Sequence, residues 1–170
     1  MAGAIHFKDR GLLQNVDGLF WQIQWKDWDE LVSRKHLPLS RSHINVAEYV
    51  ALLLTCETFA EWCQGKFTYC ELDNVSAQSW FEAAPCPIYP IDRLGHGAHL
   101  LMLDRMKVRT RWVPSAANHV ADLCSRRHFS MARGGHSIAG LRWRKVKPLW
   151  QNVLKFILHL TFILQRIIYK

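Results

Sequence analysis

Three carboxylates in this chain stand where a charge is hard to leave alone. Glu48 lies in INVAEYVALLLTCETFAEW at 44–62, with Ile44, Ala47, Ala51 and Leu52 around it at spacings of one, three and four residues. That spacing puts it on the apolar face of a helix, where charged residues are rarely unpaired. Asp73 ends FTYCELD at 67–73, an aromatic, β-prone run that follows the helix stop at Gly65. Asp122 sits in WVPSAANHVADLCSR at 112–126, between Ala121 and Leu123 and one turn into a helix. A carboxylate beside apolar residues needs a partner or a metal. Taken alone, Asp122 reads equally well as a first-turn acid favoured by the helix dipole. Carboxylates that converge repel one another unless divalent cations sit between them, and such hard oxygen ligands suit Mg²⁺ or Mn²⁺.

The elements that must position these groups follow from pattern and punctuation. Residues 1–7, MAGAIHF, and 19–25, LFWQIQW, read as strands, joined by a loop over 11–18. Residues 26–42 form a polar connection, and 44–62 an amphipathic helix. The strand that carries Asp73 comes next, then a short helix over 74–84 and a proline-rich loop, PCPIYP, at 85–90. A helix is expected over 92–106 and a last strand over 107–113, stopped by Pro114. Ser115 and Asn118 both suit the N-cap of the helix that bears Asp122.

The order INxxE, LDNxxA, then WxPxxxNxxADxxSR resembles the ribonuclease H domain of retroelement reverse transcriptases, and most of all that of the tyrosine-recombinase (DIRS-type) retrotransposons. The resemblance covers about residues 1–127, and the segment holding Asn118, Ala121, Asp122, Ser125 and Arg126 is its most specific part. It implies an α/β fold, a mixed sheet flanked by helices. It also implies cleavage of the RNA strand of an RNA–DNA hybrid by two metal ions, Mg²⁺ or Mn²⁺, with Glu48, Asp73 and Asp122 as catalytic metal ligands. The implied partners are the hybrid and an upstream polymerase domain of the same polyprotein. No small-molecule cofactor and no membrane association are expected, and the setting is cytoplasmic or nuclear. MAGAIHF corresponds to the family's second strand, whose small residues let neighbouring backbone come close. In the family, a first, central strand carries a further catalytic aspartate just before that stretch. Here the chain begins with MAGA, and Asp9 and Asp17 fall on the wrong side of it. The expectation is a chain lacking that strand and, by itself, showing little or no hybrid cleavage. The alternative is a non-catalytic nucleic-acid-binding or structural remnant of a larger reverse transcriptase.

Beside the acids, Asn74 suits either a contact to a backbone or 2′-OH or a helix N-cap. His119 suits a surface position, or assistance in product release if the resemblance is followed. Arg109 and Arg111 on the last strand, with Arg142, Arg144 and Lys145 in the tail, are the candidate nucleic-acid contacts. The charge is unevenly spread. Residues 1–128 hold 14 Lys+Arg and 14 Asp+Glu, whereas 129–170 hold 8 Lys+Arg and no acids, so the tail carries the whole net +8. Residues 1–128 therefore read as one domain and 129–148 as a basic linker. RWRKVK at 142–147 is either a phosphate-and-stacking segment around Trp143 or a solubilising stretch. The apolar run at 149–170 is long enough to cross a bilayer, but its mid-run charges disfavour that. It reads either as sequence beyond the true end of the domain or as a helix that packs on a neighbouring domain. The five cysteines have no zinc-finger spacing and read as small apolar core residues.

Overall fold

The structure, a computed structural model, describes residues 2–6, 17–24, 26, 30, 44–82, 106–126, 130–132, 135–138 and 140–149. Its elements in order are β1 (Ala2–His6), β2 (Gly18–Gln22), α1 (Ile44–Cys63), β3 (Phe67–Leu72), α2 (Val75–Glu82), β4 (Lys107–Trp112), α3 (His119–Ser125), β5 (Ser130–Ala132), β6 (Gly135–Ile138) and β7 (Leu141–Lys145). This is a mixed α/β architecture. One sheet runs β1-β2-β7-β6-β5, with β2 and β7 parallel and the other neighbours antiparallel. A second sheet is the parallel pair β3-β4, in register from Phe67↔Lys107 to Leu72↔Trp112.

Helix α1 is the axis of the core. Val46, Ala47, Val50, Leu53, Leu54, Cys56, Phe59 and Ala60 are all buried along it. The expected amphipathic stripe is in fact a nearly all-round apolar surface, which suits a helix enclosed on several sides. One side meets β1 and β2, where Gly3 is essential. A Cβ there would run into the Thr55 hydroxyl and the Trp21 indole. Across that gap Trp21 Nε1 donates to Thr55 Oγ1 at 3.2 Å, and Thr55 Oγ1 donates back to the Ala51 carbonyl at 2.7 Å. On another side α2 packs through Ala77 and the edge-on pair Tyr49–Trp80. Further along, Thr58 Oγ1 accepts the Leu149 backbone N–H at 3.0 Å.

The two faces of β1-β2 follow the strand period of two. Ile5, Leu19, Trp21 and Ile23 turn toward α1, whereas Ala2, Ala4 and Phe20 turn toward a second cluster with Cys124, Ile138 and Trp143. That second cluster corrects the reading of 129–148 as a basic linker. Residues 130–145 supply three strands, and Trp143 is 2% exposed, its Nε1 donating to the Ile138 carbonyl at 3.2 Å. Alternation explains the miss. In LRWRK only Trp143 is fully buried, with Leu141 half-buried against the same cluster, and charges fill the other positions, so the composition reads as solvated. Asp17 fastens β7 to β2. Its N–H donates to the Arg142 carbonyl at 2.7 Å, and its Oδ2 accepts the Arg142 N–H at 2.8 Å.

Among the described residues no helix is long and apolar enough to cross a membrane. The expected loops over 11–18 and 85–90, the connection over 26–42, the helix over 92–106 and the apolar run at 149–170 lie mostly or wholly outside the described residues.

Candidate functional site

A cavity of about 960 Å³ separates the two sheets, lined along its length by all of β1 and by Phe67–Asp73. Among the described pairings β1 bonds only to β2, and β3 only to β4. Two strand edges therefore face one space. Ala51, Leu52, Thr55, Cys56 and Phe59 of α1 form one wall, and Ala117–Ala121 at the start of α3 form another.

Glu48 and Asp73 both line this cavity. Burial pushes the Glu48 carboxyl above its ordinary 4.5, and the negative charge of Asp73 pushes it the same way. Each acid reaches the cavity by a local rule. Glu48 sits in the second turn of α1, between the buried side chains of Ala47 and Tyr49. Asp73 is the first residue past the end of β3, where the chain bends into α2. Asn74 holds that bend. Its Oδ1 accepts the Ala77 N–H at 2.9 Å, an N-cap, and its Nδ2 donates to Asn45 Oδ1 at 2.9 Å. Both polar ends of Asn74 are thus engaged in structure, in line with the capping alternative rather than a nucleic-acid contact.

Asn118 occupies the N-cap position of α3 but makes no side-chain cap. Its Nδ2 donates instead to Asp73 Oδ1 at 3.2 Å, joining the start of α3 to the end of β3. The turn from Pro114 to Asn118 that makes this possible is closed by backbone bonds to the Pro114 carbonyl, 2.7 Å from Ala117 and 3.3 Å from Asn118. His119 is exposed at the head of α3 and lines the cavity.

Asp122 does not join the pair. It stands one turn beyond Asn118, where Arg126 Nε contacts its Oδ1 at 2.7 Å, and it is not a lining residue of the cavity. Among the described residues no three His, Cys, Asp or Glu side chains are grouped closely enough to hold a metal ion. Of the three carboxylates expected to converge, Glu48 and Asp73 line one cavity, and Asp122, outside that lining, is in contact with Arg126 of the same helix. The WVPSAANHVADLCSR stretch carries both halves of that arrangement, since Arg126 follows Asp122 at the i,i+4 spacing at which helix side chains meet.

The expected nucleic-acid contacts separate into three kinds. Arg109 is exposed, whereas Arg111 pairs with Glu71 across β3-β4. Lys145 Nζ donates to Gln22 Oε1 at 3.2 Å. Arg142 and Arg144 point to solvent from either side of Trp143. Among the cysteines, the side-chain hydrogen bond between Cys56 and Cys70 raises Cys56, with burial adding to it, and lowers Cys70; burial raises Cys63 and pushes the Cys124 thiol up to about 12. Comparison with protein-family models, with curated proteins and with solved structures finds no match.

Proposed function

We propose that this chain is a ribonuclease H-like module of a retroelement reverse transcriptase, working beside a polymerase domain on the RNA strand of an RNA–DNA hybrid. The observation that carries the reading is the Glu48–Asp73 pair at an open cavity between two strand edges. A buried carboxylate raised by a second carboxylate is a site that a divalent cation would relieve. Asp73 and Glu48 would hold that ion, Mg²⁺ or Mn²⁺. When bound it would activate a water and stabilise charge on the phosphate. The chain's own residues supply geometry. Asn118 fixes the Asp73 carboxylate, Asn74 and Asn45 fix the bend behind it, and α1 walls one side against water. Asp122 would take part in a second ion site only by exchanging Arg126 for a cation. Such an exchange is affordable for an exposed pair, worth at most about 1 kcal/mol.

The two facing edges support the resemblance further. A strand seated between β1 and β3 would satisfy both rows of backbone groups and turn two sheets into one. An aspartate on such a strand would complete the carboxylate set. A second reading, a non-catalytic nucleic-acid-binding or structural segment, is favoured by the Arg126 contact that engages the Asp122 carboxylate.

The deciding experiment follows hydrolysis of a labelled RNA–DNA hybrid in Mg²⁺, by the chain alone and with an added apolar strand peptide that bears an aspartate. The nuclease reading expects the RNA strand to be cut when the peptide is present, and the cutting to vanish in Asp73→Asn. Absence of cleavage under both conditions overturns it in favour of the non-catalytic reading.

A further inference from the structure

The outer face of β3-β4 is built unlike a protein surface with nothing to bind. Burial alternates along both strands, with Thr68, Cys70, Leu72 and Val108 inward. The outward set is Phe67, Tyr69 and Glu71 on β3, and Lys107, Arg109 and Arg111 directly beside them on β4. Phe67 is 62% exposed and Tyr69 67%. Parallel strands are ordinarily covered on both faces, so a parallel pair with large rings on an open face is a departure that needs a reason. Charge indicates what the face would take. Three cations stand against the single acid Glu71, which is itself committed to Arg111. Lys107 Nζ lies 5.6 Å from the centre of the Phe67 ring, so ring and cation already share one place.

We infer that this face binds single-stranded nucleic acid, with Tyr69 and Phe67 stacking bases and Lys107 and Arg109 taking phosphates. Aromatic rings interleaved with cations are the means by which proteins hold single strands without reading sequence. The mode of contact selects a single strand over a duplex. A ring stacks on the face of a base, and in a duplex those faces are covered by the neighbouring base pairs, whereas an unpaired strand can splay its bases onto the rings. Cys70 and Leu72 turn inward to the core with α1, whereas Phe67, Tyr69 and Glu71 also line the cavity that Glu48 and Asp73 line; binding is read here without cleavage, so its failure is distinguishable from failure of the nuclease reading.

The test is fluorescence anisotropy of the full chain with labelled single-stranded RNA and DNA of about twelve nucleotides, within the span such grooves occupy. Tyr69→Ala should weaken binding by about 5- to 100-fold, the loss of one stacked base. Tyr69→Phe, which keeps the ring, should bind like the parent and shows that the fold survives changes at this position. Arg109→Ala and Lys107→Ala should each flatten the plot of log K against log[salt] by about 0.7, one phosphate contact apiece. Three results would each overturn the inference. These are equal binding by Tyr69→Ala and parent, displacement of the single strand by an unlabelled RNA–DNA duplex as readily as by itself, or self-association through this face with no oligonucleotide bound.

Discussion

Replacing Trp143 by alanine separates a structural strand from a basic linker at one stroke. The indole is 2% exposed, sits in the cluster with Phe20, Cys124 and Ile138, and donates to the Ile138 carbonyl. It also packs against Gly18, where a Cβ would strike its ring. Deleting a buried Trp side chain costs about 3–5 kcal/mol. Domains of this kind hold about 5–15 kcal/mol in all, so the loss takes a large share. At about 2–4 °C per kcal/mol for a chain of this size, the midpoint of thermal unfolding should fall by about 6–20 °C. Urea unfolding followed by far-UV circular dichroism reads the same change as a lower midpoint at unchanged slope. Arg144→Ala, one residue along and exposed, is the control and should stay within about 0.5 kcal/mol of the parent. A Trp143→Ala protein that unfolds together with the Arg144→Ala control would refute the placement of β7 in the sheet.

Glu48→Gln should raise stability at pH 7. The folded state holds the Glu48 pKa above its ordinary 4.5, so the ionised side chain is penalised on folding. The penalty is absent below the unfolded value and grows as pH rises through the folded one. The advantage of the glutamine should therefore shrink as pH falls toward 4.5, and melting curves from pH 4 to pH 8 that show a less stable variant at pH 7 would contradict the burial of this carboxyl. Gly18→Ala should cost about 1–3 kcal/mol, since its new methyl would press on the Trp143 ring and the Ile5 carbonyl. A thermal midpoint equal to the parent's would mean that β1, β2 and β7 do not meet as closely as described.

Much of this arrangement is readable in the residues, and the part that is not has a physical cause. The strands 2–6, 67–72 and 107–112 and the helices around Glu48 and after Asp73 follow from period and punctuation, because each element's own side chains carry its signal. Gly3 within AGA announces a close approach, and the Thr55 and Trp21 side chains fill the space it leaves. The tail is different. LRWRK spends its alternation on charges, so a strand with one buried ring looks like a basic loop. For α1, contacts from β1, β2, α2 and Leu149 are long-range, and the sequence window does not reveal how many sides will be covered. At the site, the neighbourhood of Glu48 and Asp73 could be inferred from a helix face and a strand end. The Arg126 contact that holds Asp122 competes with a metal role, and its i,i+4 spacing is visible in the chain, but spacing does not say which partner prevails. Asn118 shows the reverse. It looks like a cap, but its amide serves Asp73 instead.

The claim at the centre of this account is that Glu48 and Asp73 form a cation-binding pair, and Mn²⁺ binding tests it most directly. Electron paramagnetic resonance reads the free ion as protein is added, and a pH-stat titration reads protons released as a raised carboxyl ionises to take the metal. The parent chain should remove free Mn²⁺ with proton release, and Asp73→Asn and Glu48→Gln should each abolish both effects while keeping the fold. Equal Mn²⁺ uptake by the parent and both variants, or none by any of them, would contradict it.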